Sequence, residues 1–455
     1  MKTIKFKLIF FVLYAVLAGC QKDYLEVRSD KRIFVPSTLE DFQNILDNTS
    51  VFTVGSTPSV IMNMSDDFYI TDAGWNSLIP REKTPYTWNS VIGEADVYWQ
   101  LLYQRVFYAN VVLDGLSEMD GKQRQDVNWN YLKGTALFYR AFAFYYLAQL
   151  YTKPYIKGMP GTDPGVPLRL TGDVDAKYPR GTVAQLYDRI FSDLSEAAGL
   201  LPDNSAYTTR PVKVAAYAML ARVNLSLAAY ADAEKYADAA LKIRNVLLDY
   251  DSIDPAPRRP FPLALPQGDN KEILWHTSLL GTFMRSAFTY ADTTLYGSYD
   301  EFDKRRVLFF LAADSKNANF KGSYSGDNYC FSGLAVDEMF LIKAECLARR
   351  GETNAAMNNL NMLLVKRWVK DKFAPYQAAD AEDALQMILT ERRKELVGRG
   401  TRWSDLRRLN LDGKYAVAQV RNLNGVKYVF APEDVSKYML LLPQDEINKF
   451  GYQQN

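Results

Sequence analysis

Apolar residues recur along this chain mostly at helical spacing, and two long stretches break the rhythm. Behind Ser37 and Thr38, either of which can cap a helix, Leu39, Phe42, Ile45 and Leu46 share one face. From Ala95 onward the helical period dominates, with Tyr98, Leu101, Leu102, Val106 and Ala109 on the first stripe. The run YLKGTALFYRAFAFYYLAQLY, Tyr131 to Tyr151, is apolar on nearly every face, which predicts a buried helix. Proline and glycine crowd residues 154–181 and predict a long connection. Thr182 then caps a helix that turns Leu186, Ile190, Leu194 and Ala197 inward.

A repeat runs through this helical series. In residues 217–250, Tyr217, Leu220, Ala221, Ala233, Ala237 and Ala240 hold the large and small positions of a tetratricopeptide unit. Ala237 departs from the aromatic residue usual there, and Asn224 from the tyrosine. A second unit covers Phe340 to about Arg367, where Ala344 and Ala356 repeat the spacing of Ala221 and Ala233. The pair 131–151 and 182–200 makes a third, split by an insertion. Small residues at these places let paired helices approach closely. The expected fold is therefore mainly α, a tetratricopeptide-like helical repeat scaffold at about 95–250 and 334–410. It carries irregular, loop-rich insertions at about 61–92 and 251–333.

The stretch ERRKELVGRGTRWSDLRRLN closes the helical part. Leu385, Ile388, Leu389 and Leu396 form an apolar stripe that also holds Arg392. A guanidinium there keeps its charge and needs a nearby carboxylate, with Glu395 and Asp405 as the two candidates. Gly398 and Gly400 suit a left-handed C-cap, after which Thr401 can cap a helix packing through Trp403, Leu406 and Leu409. With no nucleophile or histidine near, the segment reads as a structural keystone.

The excursion at 61–92 mixes indole and phenol rings with amides, carboxylates and an arginine. Ring faces pack on the C–H face of a pyranose while polar groups bind its hydroxyls, so the mixture suits a sugar. Asp67, Asp72, Trp75, Asn76, Arg81, Tyr86 and Trp88 are the candidate ligand contacts, with help from Tyr296 or Tyr299 in the second excursion.

Composition narrows the chemistry. Without the three lysines of the N-terminal leader, 51 basic residues face 53 acidic ones, which gives no electrostatic claim on nucleic acid. The single histidine, His276, lies in the strand-like EILWHTSLL and reads as a packed or edge-strand residue. Any Ser-His-Asp or Cys-His arrangement would have to use it, and a histidine-rich zinc site cannot form. Neither a Walker loop nor a dinucleotide-binding glycine pattern is present. Besides Cys20 there are only Cys330 and Cys346, so no disulfide framework exists, although one bond between that pair stays open as an alternative. Cys346 falls in a helical pattern and reads as a small buried residue. No catalytic residue, metal ligand or cofactor site is expected.

The leader has Lys2, Lys5 and Lys7 before an apolar run, Leu8 to Ala18, too short to span a bilayer. Its end, Leu17-Ala18-Gly19-Cys20, resembles a bacterial lipoprotein signal. Residues 1–19 would then be removed and the Cys20 thiol lipidated, leaving 20–455 as a single domain. Gln21 follows the cysteine, and the charged Lys22-Asp23 after it fits onward export to the cell surface.

This leader, the 131–151 run, FLIKAECLARRGETNAAMNNLN, ERRKELVGRGTRWSDLRRLN and the closing LLPQDEIN together resemble the SusD/RagB family. Arg399-Gly400 departs from that family's usual Glu-Gly, which touches the local charge pairing. The resemblance implies a nutrient-binding lipoprotein of the Bacteroidetes outer membrane, a helical repeat scaffold and an irregular ligand face. It also implies a SusC-like TonB-dependent transporter as partner, over whose mouth the lipoprotein sits as a lid. Most relatives serve glycan uptake and some serve peptides. Residues 61–92 match no motif of the family, so the contacts chosen there rest on residue chemistry alone. The expected function is non-catalytic capture of oligosaccharide at the cell surface and its delivery to the transporter. An oligopeptide receptor on the same scaffold and a tetratricopeptide adaptor are the alternatives. Aromatic loops favour sugar over an adaptor, whose ligand usually lies in the repeat groove. If Cys20 carries the lipid, Cys20→Ala will appear in the soluble fraction or remain an uncleaved precursor. A processed variant still held in the membrane fraction would refute the assignment.

Overall fold

The computed structural model describes residues 36–91, 93–94, 96–264, 268–322 and 324–455, so Cys20 and the leader lie outside the described residues. The chain first builds short helices, among them α1 (Leu39–Leu46), α2 (Val60–Met64), α3 (Asp72–Ser77) and α4 (Pro80–Tyr86), with a single turn at Thr49–Phe52 between the first two. Scaffold helices follow as α5 (Asp96–Glu118), α6 (Val127–Tyr151), α7 (Val183–Leu200), α8 (Lys213–Ser226) and α9 (Tyr230–Ile243). After the second insertion come α10 (Val336–Arg349), α11 (Thr353–Leu364), α12 (Ala381–Glu395), α13 (Arg402–Leu409) and a C-terminal α14 (Gln444–Phe450).

Local chemistry starts these helices where the pattern places them. Thr38 accepts from the Asp41 N–H at 3.1 Å while the Asp41 carboxylate accepts from the Thr38 N–H at 3.0 Å, closing a capping box. Thr182 and Gln185 make the same reciprocal pair at 3.2 and 2.9 Å, so α7 begins at Val183. Leu186, Ile190, Leu194 and Ala197 of α7 are fully buried. Thr401 behaves differently. It precedes α13 but has helical backbone angles and makes no side-chain cap, because an N-cap hydroxyl reaches the first turn from an extended residue.

Successive helices pack in single file. α5 lies on α6, α6 on α7, α7 on α8, α8 on α9, α9 on α10, and α10 on both α11 and α12. Ala221 and Ala233 close the α8–α9 pair, and Ala344 and Ala356 the α10–α11 pair, all with no exposed surface. From Leu132 to Tyr151, α6 is buried almost throughout, sandwiched between α5 and α7. The α5 stripe is turned from its expected register. Trp99, Leu102, Tyr103, Val106 and Ala109 point inward, Tyr98 is half-buried and Leu101 is exposed. The larger rings win the interior: Trp99 meets Tyr103 at 4.6 Å and Tyr151 at 5.0 Å between ring centres.

The two excursions contain more regular structure than expected. The first holds α2, α3, α4 and strand β1 (Phe68–Ile70), each too short for a period to register in the sequence. The second is built from two-stranded pairings and two single-turn helices, and its strand β2 (Thr289–Ala291) pairs antiparallel with β1. A hairpin of β3 (Gln419–Leu423) and β4 (Val426–Phe430) follows the last scaffold helix. His276 is buried in the link after the Ile273–Trp275 strand. Cys330 and Cys346 are free, buried thiols, and burial pushes Cys330 up to about 12.

Arg392 takes Asp405 as its partner, donating Nε to the carboxylate at 2.9 Å. Glu395 instead accepts from Arg305 at 3.0 Å and Arg367 at 2.7 Å, while Asp405 also receives Arg408 at 2.9 Å. Arg399, the departure in the closing motif, pairs with Asp337 of α10. Gly398 and Gly400 adopt the left-handed φ of 73° and 76°, but in the turn that leads to α13: α12 itself ends at Glu395, capped by Leu396 with φ −99°. Because Arg392 and Asp405 are both buried, Arg392→Ala takes one of its two arginines from a buried carboxylate and leaves Arg408 alone to hold it. Unfolding by urea should show a loss of about 3–5 kcal/mol. A variant as stable as the parent would sink the keystone reading.

Candidate ligand face

The site is assembled around the β1–α3 segment. In β1, Phe68 and Ile70 are buried, so the two-residue alternation sends Tyr69 outward. Tyr290 is its direct cross-strand partner on β2, with ring centres 5.7 Å apart. The Tyr69 hydroxyl donates to Asn317 Oδ1 at 2.6 Å, and Asn319 Nδ2 donates to the Thr289 carbonyl at 2.9 Å. Burial, then the neighbouring Tyr290 phenol, raises the Tyr69 hydroxyl above its ordinary value, so it stays a hydrogen-bond donor.

Thr71 turns the chain from β1 into α3 by accepting from the Gly74 N–H at 3.2 Å. A Cβ on Gly74 would come within 2.5 Å of Ile70 Cγ1 and 2.6 Å of Phe288 Cβ, so only glycine lets α3 lie this close. Trp75 is half-buried, with its ring centre 6.0 Å from Tyr86 and 6.3 Å from Tyr428 and the Lys83 ammonium 5.4 Å from its face. The tip of the β3–β4 hairpin docks on α3. The Asn424 N–H donates to Asp72 Oδ1 at 2.8 Å and its side-chain amide to Asn76 Oδ1 at 2.8 Å.

The sequence-chosen residues thus fall into two sets. Asp72, Trp75 and Asn76 come together on α3, and Arg81 is exposed on α4. The other five point into the protein. Tyr86 is 1 % exposed and Trp88 3 %, and the Arg421 guanidinium sits 3.6 Å from the Tyr86 ring centre and 4.2 Å from that of Trp88. Trp88 Nε1 also donates to the Met64 carbonyl at 2.9 Å, and its φ of 54° holds the ring inward against Phe430. Tyr299 donates to the Lys394 carbonyl at 2.7 Å, and Tyr296 packs on Phe310. Asp67 meets the Arg393 guanidinium at 3.1 Å; burial nonetheless raises its carboxyl above the usual range. These five hold the face in place from behind, because burial leaves their rings and carboxylate no surface to offer.

Tyr69, Tyr290, Asn317 and Tyr428 complete the face without standing among the sequence candidates. A three-residue strand and a side chain on a turn leave little pattern in a sequence. The hairpin that carries Tyr428 does announce itself, because Asn424-Gly425 between alternating residues demands the positive φ of a tight turn, here 49° and 79°. Rings, amides and carboxylates on this face can stack on and hydrogen-bond a polyol. Among the described residues, no group of three or more His, Cys, Asp or Glu could hold a metal ion.

Two family descriptions match the chain. One, "Starch-binding associating with outer membrane", covers residues 23–225, and the other, "SusD family", covers residues 313–451. Among solved structures, a putative sugar-binding protein of Bacteroides vulgatus is 22 % identical and superposes with a TM-score of 0.72, covering 93 % of this chain and 99 % of its own. A SusD superfamily protein of Bacteroides thetaiotaomicron gives 22 % and 0.72, over 92 % of this chain and 99 % of its own. Surface glycan-binding protein A of Bacteroides fluxus gives 18 % and 0.69, over 92 % and 99 %. At these identities the likeness establishes the fold. No curated protein matches the sequence. Among the described residues no helix is long and apolar enough to cross a membrane. Since Trp88 is wedged between Arg421 and Phe430, Trp88→Ala should cost about 3–5 kcal/mol in denaturant unfolding. A normally stable Trp88→Ala protein would show that the ring is dispensable to the core.

Proposed function

The chain belongs to the SusD family, and from that premise we propose that it is a non-catalytic, cell-surface glycan-binding lipoprotein. In this reading it captures oligosaccharide at the outer membrane and delivers it to a SusC-like TonB-dependent transporter. A lipid on Cys20 holds it there. The observation that carries the reading is the outward Tyr69–Tyr290 pair, tied to Asn317 and followed on the same segment by Trp75. Phenol and indole faces accept the apolar side of a pyranose, and the Asn317 amide and Tyr69 hydroxyl supply polar contacts at its edge. Asp72 and Asn76, on the same helix as Trp75, and the exposed Arg81 on α4 add acceptors and donors that a sugar's hydroxyls match. Strand pairing and the α3 contacts fix the rings before a ligand arrives, so little freedom is lost on binding.

The test is a glycan and peptide array probed with the full chain in detergent, then calorimetry on Tyr290→Ala and Trp75→Ala. Each variant should bind the saccharide hit more weakly by roughly 1–3 kcal/mol, the scale of base–aromatic stacking, while melting as the parent does. Peptide hits without saccharide hits would favour the oligopeptide receptor. Undiminished saccharide binding by both stable variants would move the site elsewhere.

A further inference from the structure

An open cleft of about 320 Å³ lies between α5, α14 and the strap that carries Arg169 and Asp173. Its floor is aromatic. Tyr103 is buried, Phe107 and Phe450 are half-buried, and the Arg169 guanidinium lies 4.4 Å from the Tyr103 ring centre and 5.4 Å from that of Phe450. The same guanidinium is ion-paired to Glu446 of α14. Gln104, exposed on the outer face of α5, stands at the rim.

Buried groups build the strap wall. Asn110 Nδ2 donates to the carbonyls of Arg169 at 2.9 Å and Thr171 at 3.1 Å. Its Oδ1 accepts from Arg140 at 2.9 Å, and Arg140 is clamped by both oxygens of Asp193 at 2.8 Å. The Tyr103 hydroxyl donates to the Pro167 carbonyl at 2.7 Å. Trp99, 1 % exposed, also lines the cleft, and its indole N–H has no hydrogen-bond partner among the described residues. A buried Asp193–Arg140–Asn110 relay thus ties the surface strap to α5 and fixes the wall of the cleft.

We propose that this cleft is a second saccharide subsite, which takes a sugar unit of a long glycan and rests on the glycan-binding reading above. The Arg169–Glu446 pair presents a donor and an acceptor side by side, the pattern that neighbouring sugar hydroxyls match. Phe107 offers a ring face for a pyranose, while Phe450, stacked on Tyr452 with Arg169 over its ring, backs the floor. The Arg169–Glu446 charges cancel and the one other charged side chain among the described residues of the lining is the Asp173 carboxylate, so nothing in the cleft would select an anionic ligand. An extended peptide would look for an unpaired strand edge, and the lining comes from helices and a strap.

Calorimetry on the full chain in detergent, with short and long malto-, xylo-, manno- and chito-oligosaccharides, tests it against Phe107→Ala and Gln104→Ala. The long members should bind about tenfold more weakly to both variants, or about 1.4 kcal/mol, and the short members should be unaffected. Phe107→Tyr should restore the long-chain affinity. Gln104 is exposed, so its variant reports even if Phe107→Ala melts early. Unchanged long-chain affinity in a parent that does bind oligosaccharide overturns the subsite and leaves the proposed function standing. A parent that binds no oligosaccharide overturns both. Oligopeptide binding that both variants lose overturns the subsite in favour of a peptide groove.

Discussion

A buried guanidinium cannot shed its proton, and this scaffold is shaped by that constraint. Arg305 is fully buried and meets Asp303, Glu391 and Glu395, while Arg367 meets Glu272 and Glu395. These residues come from the second insertion, the end of α11 and the last turns of α12. Chain segments far apart in sequence are therefore joined by shared charges, so that removing one takes a partner from several others. Such networks are weak evidence of net stability, since desolvation offsets much of the attraction. Their effect here is to forbid other arrangements of the same helices. Where no acid is at hand, backbone carbonyls do the same work. Arg105 donates to the carbonyls of Val51, Leu101 and Gly55, and Arg421 to those of Asn63, Ser65 and Tyr86. Burial lowers both guanidinium groups to about 10, which still leaves them charged at neutral pH.

The same constraint reaches the ligand face. Arg393 and Arg402 bring the Asp66–Asp67 pair, just before β1, onto the last turns of α12 and the start of α13. Burial opposes ionisation of Asp66, yet Arg402 and Arg393 together hold its carboxyl below the usual range. Arg421 rivets the hairpin to α4 from the other side. Tyr69, Tyr290 and Trp75 therefore sit on short elements whose own hydrogen bonds are few, and they owe their placement to arginines behind them. This explains why so short a strand and a six-residue helix can hold rings at fixed positions.

The long helices are legible because their apolar period persists over several turns, as in Tyr131–Tyr151 and in the α7 stripe behind Thr182. The paired-alanine spacing foretells the α8–α9 and α10–α11 hairpins for a packing reason that the structure repeats. Arg392 is legible as a buried charge, and one of its two candidate acids, Asp405, is its partner. Pattern fails where elements are brief. The first insertion reads as a loop because α2, α3 and α4 are each shorter than two turns. Thr401 reads as a cap because identity signals a cap and backbone angles decide it. The Asn424-Gly425 turn carries its own signal, but β3 buries Gln419 and Arg421 beside Leu423 and β4 buries only Phe430, so the alternation is not written in apolar residues.

Ring chemistry alone could not sort the face from the core, because this protein uses the same residues for both. Tyr86 and Trp88 stack against a guanidinium, and an aromatic ring whose faces are already covered has none left for a sugar. Tyr296 in the short helix Thr293–Gly297 and Tyr299 just past its end both pack inward on Phe310. Tyr69 escapes because a strand alternates: with Phe68 and Ile70 drawn into the core, the residue between them must leave it. The deciding variable is the count of free ring faces, set by secondary-structure period and by where the arginines lie. That count falls to zero beside Arg421 and stays above it on the outer side of β1 and β2.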